Sequence, residues 1–208
     1  IMSARAKTPA LAEELRKSVK KAAVYYSKMG HGSFAPGNAD GGLTTIEEKS
    51  MGAYSKSGNS TISGLIKPGD IPTRGGLYLM DVVPDGEPMF GFPNINDNAE
   101  IVEMIASGVH VILFTTGRGS VVGSAISPVI KICANPETYE RLSDDMDINA
   151  GKIVNGDATL DEVGNEIVDK VIAVANGEQS CSEALGHQEF ILTYKKFEPI
   201  GPSCLPGQ

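Results

Sequence analysis

The chain has 208 residues, of which 41% are hydrophobic and 21% are charged, and its formal net charge at pH 7 is −8. This composition is that of a globular chain and argues against wholesale disorder, and the acidic balance argues against non-specific nucleic-acid binding, which ordinarily needs a basic excess. No apolar run approaches the roughly 18 residues that cross a bilayer, so we predict a soluble, cytoplasmic protein with no membrane contact. Three widely spaced cysteines, Cys133, Cys181 and Cys204, fit the reduced thiols of that compartment.

The first part of the chain is predicted to contain two helices and one strand. Thr8 and Pro9 supply the N-cap and the first helical position of a helix that reaches about Met29. A loop rich in Gly, Pro, Asn and Asp follows at 31–42 and suggests a boundary between a helix and linker from a preceding region, 1–35, and a main domain, 36–208. The remaining predicted elements before residue 84 are a helix at 44–57, a loop to Gly76 and a buried strand at 77–83.

The second part alternates helices with short apolar strands. We predict helices at 98–107, 137–142, 159–175 and after Ser180, and strands at 109–114, 128–134 and 190–194. This alternation predicts an α/β fold class, as a Rossmann-like layered fold with a mostly parallel sheet flanked by helices.

A glycine-rich turn with one arginine follows the strongest predicted strand, in the segment FTTGRGSVVG from Phe114 to Gly123. Ligands of open parallel sheets bind beyond the carboxyl ends of strands, glycines let backbone N–H groups approach an anion, and a guanidinium matches a carboxylate in bidentate geometry. The segment therefore suits a carboxylate or a phosphate. The alternative is a tight turn with Arg118 in solvent. The segment is neither a Walker loop nor a GxGxxG fingerprint.

Two further segments carry candidate polar groups. The glycine pair at Gly41 and Gly42 leads into a capped helix in which Glu47, Glu48 and Lys49 offer a base or metal ligand with a charge partner; the alternative is plain helix capping. The segment 144–149, DDMDIN, clusters three carboxylates and an amide, the ligand types of hard metal ions, without the spacing of an EF-hand loop; the alternative is a solvated acidic turn.

Single residues add candidates for proton transfer. His31 and His187 stand beside glycines, where an imidazole can serve as an acid or base, although a surface histidine is the alternative for each. His110 falls within a predicted strand and is interpreted as a core side chain. Asp81 lies at the carboxyl end of a predicted strand, where it can face a crevice.

An ordered series of segments resembles the C-terminal part of the altronate dehydratase and D-galactarate dehydratase family. The series comprises GGLTTIEEKS, LYLMD, FTTGRGSVVGSAISPVIKICANP, DDMDINAG, an ATLDEVG helix start and ALGHQEF. It extends from about Pro36 to Phe190. Each segment alone is weak, but their order is specific.

The resemblance implies a hydro-lyase that dehydrates a hexonic or hexaric acid to a 2-keto-3-deoxy acid with a divalent metal, usually Fe²⁺, and that forms a homo-oligomer. The substrate-binding residues it implies are Thr115, Thr116, Gly117, Arg118, Gly119 and Lys131. The catalytic candidates are Glu48, Lys49, Asp81 and His187. Asp145, Asp147 and Asn149 are candidates for metal binding or for contacts to substrate hydroxyls.

Family members are considerably longer, and the resemblance implies a preceding region with a Cys-Gly-Gly-Ser-Asp type segment. We therefore expect the chain to work together with a missing N-terminal part of the same enzyme that holds part of the site. A related family lyase, such as a sulfolactate sulfo-lyase, is an open alternative, and so is a non-catalytic module that binds a sugar acid or a phosphate. A nucleotide-binding α/β domain is disfavoured because its fingerprints are absent.

Overall fold

The computed structural model describes residues 1–28, 46–85 and 96–191, except for the side chains of 26–28 and 46–50. The chain divides into two compact units, Ile1–Ile95 with Thr193–Gln208, and Asn96–Leu192. The boundary predicted near residues 35 and 36 lies outside the described residues and stays a prediction.

The first unit contains helices and a two-stranded parallel sheet. Its elements are a short 3₁₀ helix at Met2–Arg5, α1 at Pro9–Lys28, α2 at Ile46–Lys56, β1 at Ile62–Ile66 and β2 at Leu77–Met80. The predicted cap of α1 is confirmed, because Thr8 Oγ1 accepts a hydrogen bond of 3.2 Å from the N–H of Leu11. Leu11 and Leu15 pack with Ile62 in a small apolar core.

Strand β1 lies where the sequence predicted a loop. Gly64 interrupts its apolar pattern, which hides a strand from a periodicity argument. The structure explains this glycine, since a Cβ there would lie 2.7 Å from Cε1 of the Tyr78 ring on β2. Ile66 pairs with Met80 at the carboxyl ends of the two strands, and the N–H of Asp81 donates to the carbonyl of Ile66 at 2.8 Å. The pairing places the residues that follow the two strands side by side.

The second unit is built around a three-stranded parallel sheet. Its elements are α3 at Asp97–Ala106, β3 at Ile112–Thr116, β4 at Val129–Cys133, α4 at Pro136–Arg141, β5 at Ile148–Asn149, α5 at Lys152–Asn155, α6 at Leu160–Ala175 and α7 at Cys181–Ala184. The strand order is β3-β4-β5, with both pairs parallel.

Strand β4 is the centre of this unit, and all five of its residues are buried. Val129 packs with Ile101 of α3, whereas Ile132 packs with Val163 of α6. Because successive side chains of a strand point to opposite faces, helices cover both sides of β4. Helices with two small parallel sheets confirm the predicted α/β layered class.

Helix caps in the second unit agree with the sequence pattern. Asn135 caps α4, and full capping boxes begin α6 at Thr159 and α7 at Ser180. Strand β5 was not predicted, because its acidic surroundings are typical of a turn. Of the strand predicted at 190–194, Phe190 and Ile191 lie outside any strand, and the rest falls outside the described residues. No helix of the described ranges is long and apolar enough to cross a bilayer.

Candidate functional site

The predicted substrate-binding turn lies at the carboxyl end of β3. Thr115 and Thr116 are the last residues of that strand, and Gly117 to Gly119 follow directly. Thr115, Gly117 and Arg118 are exposed. The turn therefore stands at the edge of a parallel sheet where ligands of such folds bind, and its role in substrate binding stays a prediction.

Two side chains hold this turn in place. Thr116 Oγ1 accepts a hydrogen bond of 3.0 Å from the N–H of Gly119, and Thr138 Oγ1 donates one of 3.0 Å to the carbonyl of Gly117. Gly119 has a φ of +85°, in the region that favours glycine, and a Cβ there would collide with Leu142. The backbone path of the turn thus depends on Gly119.

We expect Gly119→Ala to lower the free energy of unfolding by about 1–3 kcal/mol, through left-handed strain and the collision with Leu142. Gly117→Ala is the matched control, because Gly117 has no atom within 4 Å of an added Cβ and no positive φ. Urea denaturation of the two variants measures the difference. Equal losses of stability would show that the turn does not depend on Gly119.

A fully buried lysine lies on the central strand of the same unit. Lys131 has no exposed surface, and its Nζ makes no hydrogen bond to any residue in the described part of the chain. The nearest carboxylate oxygen, Asp145 Oδ1, lies 3.8 Å away. Burial lowers the pKa of Lys131, and Asp145 and Asp147 only partly oppose this shift. A buried amine without a hydrogen bond is costly for folding, which argues for a role beyond stability.

His187 lies near the same carboxylate oxygen. Its Nδ1 is 3.9 Å from Asp145 Oδ1, is buried and has no hydrogen-bond partner among the described residues, while the side chain as a whole is 22% exposed. Gly123 packs against His187, since a Cβ added at Gly123 would lie only 2.7 Å from the Cβ of His187. The N–H of Gly123 donates a hydrogen bond of 2.7 Å to Glu189 Oε2. The structure thus brings Lys131, Asp145 and His187 together, at the far end of the loop that begins at Arg118.

Asp147 has a different environment from Asp145. Its side chain is fully buried, Oδ2 accepts the N–H of Lys131 at 2.8 Å, and Oδ1 accepts the N–H of Cys181 at 3.0 Å. Lys170 Nζ lies 3.4 Å from the same Oδ1. Asp147 therefore ties β4, α6 and the start of α7 together.

The described side chains around Asp145 and Asp147 offer few free donors for a metal ion. Within residues 1–28, 46–85 and 96–191, no three His, Cys, Asp or Glu side chains form a group that could hold a metal ion. Both oxygens of Asp147 already accept backbone hydrogen bonds. The described residues around Asp145 and Asp147 thus do not fit a metal ion by themselves, and no chemical step is derived through one.

The catalytic candidates of the first unit lie apart in the sequence and only one has a described side chain. Glu48 and Lys49 fall within helix α2, and their side chains lie outside the described residues. Asp81 directly follows β2 and is buried. Its Oδ2 accepts hydrogen bonds from Lys21 Nζ at 2.6 Å and from Lys67 Nζ at 2.9 Å.

The charge around Asp81 fixes its protonation state. Burial raises the pKa of Asp81, but the hydrogen bonds from Lys21 and Lys67 outweigh it, so the pKa lies below its ordinary value. Asp81 is therefore ionised at neutral pH. Because a carboxylate with a lowered pKa is a weak base, Asp81 is better suited to holding two ammonium groups than to accepting a proton.

This network predicts a pH dependence of stability. Because folding lowers the pKa of Asp81, its contribution is complete above the unfolded value of about 3.9 and is lost as the pH falls through the lower folded value. We expect Asp81→Asn to cost about 2 kcal/mol at pH 7, and progressively less as the pH falls below about 3.9. Asp85→Asn is the control, because Asp85 contacts the same lysines from a 77% exposed side chain and should change stability little. A pH-independent loss in Asp81→Asn would contradict this.

Several charged residues of these networks were absent from the sequence prediction. Lys67 follows β1, which the sequence assigned to a loop, and Lys21 lies on α1 without any local signal that pairs it with Asp81. Glu189 could have been found from the sequence, since it lies in the ALGHQEF segment, two residues after His187. His110, interpreted as a core residue, is instead exposed and precedes β3.

Comparison with known proteins agrees with the segment pattern. A family model described as D-galactarate/Altronate dehydratase, C-terminal, matches residues 1–197. The chain is 37% identical over 159 residues to the (2R)-sulfolactate sulfo-lyase subunit beta of Chromohalobacter salexigens, covering 76% of this chain and 38% of that protein. It is 38% identical over 145 residues to the galactarate dehydratase (L-threo-forming) of Escherichia coli, covering 70% of this chain and 26% of that protein.

A further relative is the altronate dehydratase of Escherichia coli, 31% identical over 158 residues, which cover 76% of this chain and 29% of that protein. The chain thus corresponds to between about a quarter and two fifths of the length of these relatives. The family match, in contrast, spans nearly the whole chain and includes the first helix. The chain belongs to the D-galactarate/altronate dehydratase C-terminal family.

Proposed function

We propose that this chain is the C-terminal domain of a hydro-lyase that dehydrates a sugar acid of the galactarate or altronate type to a 2-keto-3-deoxy acid. The observation that carries the proposal is the group of Lys131, Asp145 and His187 in a member of this family. Relatives named galactarate dehydratase and altronate dehydratase support the reaction class.

The reaction needs an anion-binding group and a proton-transfer group. The turn around Arg118 binds the substrate carboxylate through its guanidinium and backbone N–H groups. His187 accepts the proton from the carbon next to that carboxylate and returns it to the hydroxyl leaving from the following carbon. The C–H and C–O bonds break, a C=C bond forms, water departs, and the enol tautomerises to the 2-keto product. Asp145 orients the imidazole, and Lys131 supports Asp145.

Arg118→Ala is expected to weaken binding of galactarate or altronate by about 10- to 100-fold, because a charge-assisted bidentate contact is lost. Isothermal titration with the substrate acid measures this loss. Arg74→Ala removes the same charge from an exposed position of the first unit and should leave the affinity unchanged. Unchanged affinity in Arg118→Ala would remove the turn from the substrate site.

A second candidate is a sulfo-lyase, favoured by the 37% identity to the sulfolactate sulfo-lyase subunit. The two reactions differ in the group that leaves the β carbon with the electron pair of the broken bond. This group is the hydroxyl in the dehydratase and sulfite in the sulfo-lyase. A substrate panel on the full-length polypeptide separates them. Formation of a 2-keto-3-deoxy acid from galactarate, altronate or an epimer supports the dehydratase, whereas sulfite release from sulfolactate supports the sulfo-lyase. Binding of sugar acids without turnover would instead support a non-catalytic module.

Three further properties belong to the same proposal. The full-length polypeptide is proposed to depend on a divalent metal, expected to be Fe²⁺. Loss of activity with EDTA and its restoration by Fe²⁺ would test this dependence. The N-terminal part of the enzyme is proposed to complete the site. A cytoplasmic location and a homo-oligomeric assembly are proposed as for a metabolic enzyme of this class, and light scattering measures the assembly.

A further inference from the structure

A cavity in the first unit is lined by charged groups that the proposed reaction does not use. Its volume is about 430 Å³, within the range of about 300–1,000 Å³ that small-molecule sites occupy. Helix α1 contributes Lys17, Ser18 and Lys21 from one face, and Lys67 enters from the end of β1. Glu14, Asp81 and Asp85 also line the cavity, so three ammonium groups and a hydroxyl stand beside three carboxylates.

Two of these ammonium groups converge on one point. Lys21 Nζ donates to Asp81 Oδ2, to the carbonyl of Val83 at 2.7 Å and to Asp85 Oδ1 at 2.8 Å. Lys67 Nζ donates to the same two carboxylates, with a distance of 3.2 Å to Asp85 Oδ1. Asp81 neutralises only one of the two positive charges.

Asp85 balances the second charge from an unusual position. Its side chain is 77% exposed, yet a single oxygen, Oδ1, accepts hydrogen bonds from both lysines. The side chain of Asp81 is only 5% exposed and Oδ1 of Asp81 also accepts the N–H of Val83. Asp81 is thus built into the fold, whereas Asp85 can leave at little cost, because exposed ion pairs contribute little to stability.

We propose that Lys21 and Lys67 form a carboxylate-binding site, which Asp85 occupies in the free chain and from which a small hydroxylated carboxylic acid displaces it. The hydrogen bonds of Lys21 lower the pKa of Asp85, so Asp85 competes as a carboxylate. Despite its partial burial, Lys67 has a raised pKa, through its hydrogen bonds to the network, and remains a cation.

The chemistry of the remaining lining selects the ligand class. Ser18 and Glu14 can exchange hydrogen bonds with hydroxyl groups, and Lys17 offers a further cation for a second carboxylate. A hydroxylated acid uses all of these groups, whereas a simple inorganic anion uses the two lysines alone. The choice of a sugar acid as ligand rests on the proposed function; the carboxylate site itself rests on the geometry.

Isothermal titration with galactarate of the 208-residue chain carrying Arg118→Ala tests the proposal, because this background weakens binding at the turn. In that background Asp85→Asn should bind galactarate roughly three- to tenfold more tightly, because the internal competitor loses its charge. Lys67→Gln should bind it at least about tenfold more weakly. Lys20→Gln is the control, since Lys20 is exposed, neighbours Lys21 and does not line the cavity. Inorganic sulfate should bind more weakly than galactarate.

An unchanged affinity for galactarate in Asp85→Asn would contradict the proposed displacement of Asp85. If circular dichroism shows that Lys67→Gln does not fold, the Asp85→Asn variant alone tests the proposal. Equal affinity for sulfate and galactarate overturns the ligand class. The outcome is separable from that of the proposed function: if Arg118→Ala abolishes binding and turnover while Lys67→Gln changes neither, the cavity is not a carboxylate site and the dehydratase proposal stands.

Discussion

Replacing His187 by Gln should lower kcat/KM of the full-length polypeptide for its sugar acid by about 10²- to 10⁴-fold, the usual effect of losing a general acid–base group. Gln retains the Cβ that packs against Gly123 and a polar group facing Asp145, so the fold should survive the change. Initial rates of 2-keto-3-deoxy acid formation measure the loss. The pH dependence of kcat/KM should also lose one of its limbs, which a purely structural change would not cause.

His110→Gln provides the matched control for this experiment. His110 is exposed and has no place in the group around Asp145, so its replacement should leave both the rate and the pH profile unchanged. A His187→Gln enzyme that keeps the wild-type rate would exclude the imidazole from proton transfer. The acid–base role would then have to pass to a group outside this cluster.

Local pattern predicted the elements whose signals lie within a few residues. The caps at Thr8, Asn135, Thr159 and Ser180 are examples, because a cap joins a side chain to a backbone N–H only three positions away. The parallel arrangement of β3 and β4 followed from their alternation with helices. Strands β1 and β5 were missed, because Gly64 and the acidic segment before β5 conceal short strands that only their pairing stabilises.

The candidate site shows a similar division. Arg118 and His187 could be singled out because glycines beside them mark turns where polar groups are exposed. Residue types alone did not show that Lys131 is buried on a central strand, or that its amine and the His187 imidazole both lie near Asp145 Oδ1. Asp145 and Asp147 looked equivalent in sequence, yet one faces His187 and the other is held by two backbone N–H groups. Such differences arise from contacts more than ten residues apart, which periodicity does not record.

The two units carry charge in different ways, and the difference separates structural from chemical roles. In the first unit each ammonium of the Asp81 network has a carboxylate within 3.2 Å. In the second unit the Lys131 amine has no hydrogen bond among the described residues, although it is fully buried. Residues that lower stability without compensation tend to be retained for function.

Lys131→Met should raise the free energy of unfolding by about 1–3 kcal/mol, because an apolar side chain of similar length replaces a buried amine without a hydrogen bond. Asp145 is partly exposed and keeps solvent contact, and Asp147 keeps its two backbone donors and Lys170, so neither carboxylate should offset that gain. Activity of the full-length polypeptide should nevertheless fall by about 10- to 100-fold, since Asp145 loses the neighbouring Lys131 amine that positions it toward His187.

Urea denaturation and initial rates measured on the same variant distinguish the possible roles of Lys131. Lys152→Met is the control: Lys152 pairs with Glu166 on the surface of the same unit, so both stability and rate should change little. If Lys131 served only the fold, stability and activity would fall together, which would contradict its proposed role as a positioning residue. A more stable but slower enzyme would instead show that the fold retains a destabilising amine because the reaction needs it, with Asp145 as the link between Lys131 and the imidazole of His187.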